Sequence, residues 1–332
     1  MPLRPRIGRL LAVAAAAPCL AAAPLEARWS LGGEPLVIAS RPQDAGAISS
    51  LLFRGREFIA SRYNGWLLQG AGGYGWWAEC LNPTLAGARY DPPGQTSSRL
   101  LEARADARSY HTRTRMAFWT PPGRRCSDAF GVRRIAANTT ALSDTYYAQT
   151  LTPGFKGIAR ALDDHVVITT PRAARVAGFE VLTGYMPPAF GSFYSYDAGR
   201  RRLVPLADRE LTQERWAPEV VSTADGRFAM GIVAASPLAD ARYAAFRNAE
   251  VSKWSLVYHY VNGFAAGPHR YECVVLLGTR DEVAADLGTI LRGQARSRAL
   301  HVAGVLAAAA TAAALALAIV RLRARGPLRR LA

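Results

Sequence analysis

Between residues 30 and 280 apolar and polar positions alternate over short stretches, and Gly, Pro, Asp and Asn break the pattern at close intervals. Alternation with period two is the mark of a half-buried strand, so this span predicts antiparallel β structure. Residues 48–53 and 56–60 around Arg54-Gly55 predict a hairpin. So do 220–223 and 227–233 around Asp225-Gly226, a dipeptide suited to the type I′ turn. A third hairpin is expected from 192–197 and 200–205 around Ala198-Gly199. Further strands are predicted at 36–39, 109–119, 146–150, 166–170, 177–182, 251–260 and 269–278. Helical periodicity is confined to residues 281–291, where Thr279 or Asp281 can cap and Val283, Leu287, Ile290 and Leu291 share a side. So many strands in one span predict a mainly β protein, a single large antiparallel β-sandwich.

The ends follow a different pattern. Residues 302–320 form an uncharged apolar run, and Arg321, Arg323, Arg325, Arg329 and Arg330 follow it. As a helix the run extends roughly 28 Å, one bilayer hydrocarbon core, and the Arg cluster marks the cytoplasmic side. Residues before it are then extracytoplasmic. At the other end Arg4, Arg6 and Arg9 precede an apolar stretch at 10–17, Pro18 and Ala21-Ala22-Ala23, the layout of a secretory signal peptide. The expected organisation is a signal peptide over 1–23, an exported β domain over 29–291, a polar stalk over 292–301, a transmembrane helix over 302–320 and a basic cytoplasmic tail over 321–332.

The net charge of +16 is concentrated at the ends: 1–28 carry +3, 301–332 carry +5, and +8 is left for the body. Lys156 and Lys253 are the only lysines, and every other cation is Arg. In an Ala-rich chain this bias reflects coding composition, and with an extracytoplasmic address it argues against nucleic acid as partner. Oxidising surroundings permit a disulfide. Cys80 and Cys126 lie in loop-like sequence and are expected to pair, whereas Cys273 sits in an apolar run and reads as a core residue. There is no CxxC and no Cys/His zinc spacing, so neither a metal nor a cofactor is expected.

Gly70-Ala71-Gly72-Gly73-Tyr74-Gly75 fits GxGxxG, but no helix can open after it before Pro83, so the dinucleotide reading fails. Flexible backbone beside an aromatic cluster is the better account. That cluster holds Trp66, Tyr74, Trp76 and Trp77, followed by Glu79, Asn82 and Asp91, and a second aromatic stretch runs from Tyr185 to Tyr196. Flat aromatic faces beside carboxylates and amides are the means by which loops hold sugars. Any one of these rings is equally a core residue. Glu79, Asp91, Glu180, Glu214 and Glu219 are the carboxylates near such segments, and His111 and His259 sit in strand patterns. Neither GxSxG nor HExxH occurs.

Residues 48–58, Ile48-Ser49-Ser50-Leu51-Leu52-Phe53-Arg54-Gly55-Arg56-Glu57-Phe58, followed by Gly65-Trp66-Leu67-Leu68-Gln69, resemble the start of galactose-mutarotase-like supersandwich domains. Segments 79–87, 116–119, 180–188 and 271–278 resemble an exported bacterial set of that class, and the resemblance covers about 45–290. It implies a carbohydrate-facing β-supersandwich, a fold shared by aldose epimerases, polysaccharide lyases and some glycosidases. Mutarotases carry a catalytic Glu on a late strand and histidines on the sheet. That Glu cannot be placed in this sequence, and only His111 and His259 are candidates for the histidines, a departure that tells against mutarotase activity itself. A fold is also not a function.

The expectation is a single-pass protein of the bacterial inner membrane whose extracytoplasmic domain binds or modifies a carbohydrate. Glu79 or Glu180 would serve as carboxylate with His111 or His259 as its partner. Trp76, Trp77 and Tyr185 would stack on the sugar, and Asn82 and Asp91 would bind it. The alternative is a non-catalytic structural or protein-interaction module of a cell-envelope complex. Whether any reaction occurs, and the oligomeric state, stay open at this level.

Overall fold

The computed structural model describes residues 24–62, 65–74, 82–127, 133–236 and 240–324. Strands β1 (Leu25–Leu31), β2 (Glu34–Ser40), β3 (Ser50–Phe53) and β4 (Arg56–Glu57) pair in chain order as a small antiparallel sheet. Next come β5 (Gln69–Tyr74), β6 (Pro83–Thr84), β7 (Arg99–Ala105) and β8 (Tyr110–Phe118). β9 (Arg125–Ser127) and β10 (Arg133–Ile135) make a separate ribbon. The chain continues through β11 (Leu142–Phe155), β12 (Ile158–Thr170), β13 (Ala177–Met186), β14 (Ser192–Asp197) and β15 (Arg202–Pro205). After a single helical turn α1 (Asp208–Leu211) follow β16 (Glu219–Ser222), β17 (Ala229–Ala234), β18 (Ala241–Arg247), β19 (Ser252–Tyr260) and β20 (Gly267–Gly278). Helix α2 (Arg280–Ala324) ends the described chain.

Fourteen of these strands form one antiparallel sheet in the order β15-β14-β16-β17-β20-β12-β11-β8-β6-β5-β13-β19-β18, with β7 paired to β8. This is the large antiparallel sandwich expected from the alternating pattern. The alternation explains how the sheets face each other. On β1, Ala27, Trp29 and Leu31 are buried while Arg28 and Ser30 face solvent. On β8, Tyr110, Thr112, Thr114 and Met116 point inward, and the Thr112 and Thr114 hydroxyls donate to the carbonyls of Gly46 and Ala45. Leu36, Ile38, Leu51 and Phe53 of the small sheet share a core with Tyr147, Leu162, Val166 and Trp254 of the large one. Far along the large sheet, β19 curls over to β20, where the Tyr258 and Tyr271 rings lie 4.8 Å apart.

Strand β5 departs from the sequence reading. The glycine run is paired backbone, held between β13 and β6, not a flexible loop. A Cβ on Gly70 would lie 2.1 Å from the Tyr147 ring, and one on Gly72 would lie 2.0 Å from Phe179. The glycines let core rings lie flat on the strand, an exception to the rule that Gly weakens strands. The Asp225-Gly226 hairpin forms with a longer turn than expected. Ser222 pairs with Ala229, and the Thr223 carbonyl accepts from the Gly226 N–H at 2.9 Å.

Helix α2 starts at a reciprocal cap: Thr279 Oγ1 accepts from the Glu282 N–H at 3.3 Å, and the Glu282 carboxylate accepts from the Thr279 N–H at 2.8 Å. Its first turns bury Val283, Leu287 and Ile290 against Val220, Val233, Val274 and Leu276. The sequence separated a helix at 281–291 from a stalk and an apolar run; the structure joins all three in one helix of 45 residues. Its apolar part is long enough to cross a bilayer. The expected signal peptide lies outside the described residues.

Two features of the core bear on charge. Asp164 on β12 is fully buried: Gln149 Nε2 donates to its Oδ2 at 2.8 Å, and its Oδ1 has no hydrogen-bond partner. Burial lifts its pKa from 3.8 to about 7, against the pull of Gln149 and Cys273. Cys273 is free and buried beside it, the core position expected of it. Glu219 on β16 is likewise buried, paired with Arg215, and burial lifts its pKa to about 7 despite that partner.

Candidate functional site

The outward face of β13 and β19 carries a cluster of polar side chains. A bulge between Glu180 and Leu182 resets the alternation of β13. Glu180, Thr183 and Tyr185 therefore share one face, opposite the buried Phe179 and Leu182. On β19 the register places Lys253 beside Tyr185, Ser255 beside Thr183 and Val257 beside Glu180. Lys253 Nζ donates to Glu180 Oε1 at 2.6 Å, and Ser255 Oγ donates to the same oxygen at 3.1 Å. The two charged side chains are only 14% and 12% exposed. Burial works against the Lys253 ammonium, but Glu180 and then Tyr185 outweigh it and hold its pKa above the ordinary lysine value. The cleft thus holds a fixed positive charge next to a carboxylate.

Around this pair the cleft is lined by Gly65, Gln69, Ala71, Asn82, Thr84 and Trp119. It opens at Gly65 and Trp119 into a second hollow of about 790 Å³, walled by Trp66, Arg41, Arg62, Arg89, Asp91 and Phe246 among others. The Trp66 and Tyr185 rings are nearly parallel, inclined by 8° with centroids 6.5 Å apart. Trp119 lies over Gly65 so closely that a Cβ there would sit 2.6 Å from the indole. The loop bearing Trp66 is pinned at both ends. The Ala60 N–H donates to the Tyr185 carbonyl at 2.8 Å, and Gln69 Nε2 donates to the Gly65 carbonyl at 2.7 Å. Asn82 is 8% exposed and its Oδ1 has no hydrogen-bond partner. That oxygen lies over Gly73 of β5, where a Cβ would come within 2.3 Å of it.

Of the residues singled out from the sequence, Glu180, Tyr185 and Asn82 come together in this cleft, and Asp91 lines its outer part. Asp91 Oδ2 is occupied by the N–H groups of Ala88 and Ser97, each at 2.8 Å, and by Ser97 Oγ at 2.9 Å. That oxygen clasps its own loop. Glu79, Trp76, Trp77 and Cys80 lie outside the described residues. Cys126 is disulfide-bonded.

The histidines do not join Glu180. His111 faces outward on β8, where its Nδ1 meets Thr150 Oγ1 at 2.8 Å and Glu102 lies 3.8 Å from its Nε2. Partial burial and then Arg104 hold its pKa below the usual value, so it is neutral near pH 7. His259 lies two residues beyond Val257, on the same face as Glu180, but its Nε2 meets the Glu214 carboxylate at 2.8 Å. The hydrogen bond from His259 depresses the Glu214 pKa. His259 borders a different hollow, with Asp240, Arg270 and Glu272. Among the described residues one group has metal-ligand geometry, Asp163, His165 and Glu272, with donor atoms within 4.8 Å of one another and away from the cleft.

Sequence reasoning missed Lys253 and Trp119. Lys253 did carry a signal: it is one of two lysines in 332 residues, and it sits within a strand pattern. Trp119 closes the 116–119 segment of the resemblance, but nothing in that segment marked the ring as facing a cleft, because one Trp at a strand end reads equally as core.

No family model and no curated protein matches this chain. Among solved structures it is similar to a galactose mutarotase-like protein from Lactobacillus casei, at 8% identity and a TM-score of 0.43, covering 77% of this chain and all of the other. It is also similar to an alpha-mannosidase from Enterococcus faecalis, at 9% identity and a TM-score of 0.44, covering 79% of this chain and 31% of that one. A third is the heparan sulfate lyase HepC from Pedobacter heparinus, in mutant form, at 7% identity and a TM-score of 0.37, covering 74% and 34%. The chain thus spans about a third of the length of the latter two. At these values the likeness bears on no residue or activity of this chain.

Proposed function

We propose that this protein is a membrane-anchored, extracytoplasmic carbohydrate-binding protein, and that the cleft between Trp66, Trp119, Tyr185 and the Glu180–Lys253 pair is its glycan site. The observation that carries this reading is the meeting, in one cleft and the hollow it opens into, of partly exposed aromatic faces with the Glu180–Lys253 ion pair. Sugars present C–H faces to rings and a dense set of hydroxyls to polar atoms, and this cleft offers both on strands and a pinned loop. Catalysis is the finer form of the proposal. Glu180 has one carboxylate oxygen engaged by Lys253 and Ser255, and its other oxygen is the candidate base.

The test is binding of the detergent-solubilised full chain to a panel of neutral and acidic polysaccharides. Trp66→Ala and Trp119→Ala should each weaken binding about tenfold or more, equivalent to ~1.4 kcal/mol, with an unchanged melting temperature. Binding that survives both substitutions removes the cleft from the proposal. Failure to bind any member of the panel, with capture of an envelope protein that depends on Trp66, would favour the protein-interaction alternative. Turnover abolished by Glu180→Gln would add the catalytic form, and turnover that survives it would remove Glu180 as base.

A further inference from the structure

A further pocket lies at the foot of the domain, where helix α2 leaves it. Its volume is about 350 Å³. The floor is apolar, made by Phe155, Ile158, Ala235 and Ile290; the rim carries Lys156, Arg292 and Arg296, and among the described residues no acidic one lines it. Lys156 stands at the tip of the β11–β12 hairpin in the left-handed region (φ 46°), with its ammonium 4.7 Å from the Phe155 ring centre. Arg292 donates to Thr289 Oγ1 at 3.0 Å. Among the described residues none of the three cations has an ion-pair partner, whereas Arg54, Arg160 and Arg215 are all matched with carboxylates. Gln294 fixes the wall, its Nε2 donating to the Ala234 carbonyl at 2.6 Å and to that of Ala235 at 3.2 Å.

The height of this pocket along α2 identifies its occupant. Arg296 precedes the apolar run at Val302 by six residues of continuous helix, roughly 9 Å. Lipid headgroups fill about 5–8 Å outside the hydrocarbon core. Long arginine and lysine side chains span the remaining distance. A phosphodiester with an adjoining glycerol matches the site in both respects, with anionic oxygens for the rim and carbon for the floor.

We propose that this pocket binds the headgroup of an anionic phospholipid and so seats the domain on the bilayer. The inference rests on the membrane-anchored reading of α2 and is independent of the glycan cleft.

The experiment uses the full chain in a neutral detergent, with bound lipid counted by native mass spectrometry during titration with phosphatidylglycerol or phosphatidylcholine. The expected result is retention of phosphatidylglycerol in clear preference to phosphatidylcholine, unaffected by millimolar inorganic phosphate. Lys156→Gln/Arg292→Gln/Arg296→Gln should weaken retention roughly a hundredfold, about fivefold per cation. Should the triple variant misfold, Arg296→Glu alone, at an exposed helix position, should weaken it at least fivefold. Equal retention of the two lipids, displacement by inorganic phosphate, or undiminished retention by the folded variants would each overturn the proposal. Alkaline extraction of membranes separates the two readings. A chain released by carbonate refutes the anchor itself, and a chain that stays in the membrane but retains no phosphatidylglycerol refutes only the headgroup pocket.

Discussion

Replacing Asp164 by Asn should make the protein more stable at pH 8 and change it little at pH 4. The carboxyl is fully buried, accepts from Gln149 through one oxygen, and leaves the other without a partner. Burial raises its pKa from 3.8 to about 7. The folded chain therefore keeps a proton that the unfolded chain gives up above about pH 4. Because the folded value is the higher one, the favourable contribution is complete below pH 3.8, is lost as pH rises, and is gone above pH 7. Over that window the loss amounts to about 4 kcal/mol. Asn keeps the shape and the contact with Gln149 but cannot ionise. Glu219 has a pKa raised in the same direction, but it is present in both proteins and cancels in their difference. Thermal unfolding of the solubilised full chain, followed by tryptophan fluorescence, should show the Asn variant melting about 8 °C above the wild type at pH 8. The gap should close to within about 2 °C at pH 4. Parallel pH profiles for the two proteins, or a variant that is less stable at both pH values, would refute the reasoning.

Gly72→Ala should destabilise the fold by about 1–3 kcal/mol, since its Cβ would meet the Phe179 ring; an unchanged urea midpoint would show that the ring has room to move. Lys253→Met should cost about 3 kcal/mol by leaving Glu180 without its cation, and Glu180→Gln added to it should recover part of that loss. Additive losses in that double-mutant cycle would mean that the pair is not coupled. Glu282→Ala should lower stability by about 1 kcal/mol through loss of the cap on α2. It also removes the contact with Arg54 at 3.1 Å, so Arg54→Ala measured alone apportions the two effects.

The sheet-rich body and the terminal apolar helix were legible because both depend on periodicity, which short windows of sequence preserve. What escaped has identifiable causes. Strand β5 was hidden because four of its six residues are Gly or Ala and show no alternation. Strand β7 was hidden for the opposite reason: it pairs only with β8 and is exposed along almost its whole length. The continuity of α2 was masked by polar residues at 292–301, which read as a stalk although none of them breaks a helix. In the cleft, Glu180 and Tyr185 were found because their segment is rich in aromatics, Gly and Pro. Lys253 required the β13–β19 register, which joins residues 68 positions apart. The bulge that turns Glu180 and Thr183 to one face has no sequence signature at all.

The unbroken course of α2 has a mechanical consequence. A disordered tether would let the domain wander over a hemisphere; a rod of 45 residues, roughly 68 Å long, has no swivel. Its upper end is locked by Val283, Leu287 and Ile290 and bolted by Gln294 to the end of β17. Whatever holds the lower end therefore sets the height and tilt of the cleft mouth as well. A proline or a pair of glycines placed near Ser297 would free the domain to turn without altering one atom of the cleft, and would show how much of its work depends on being aimed.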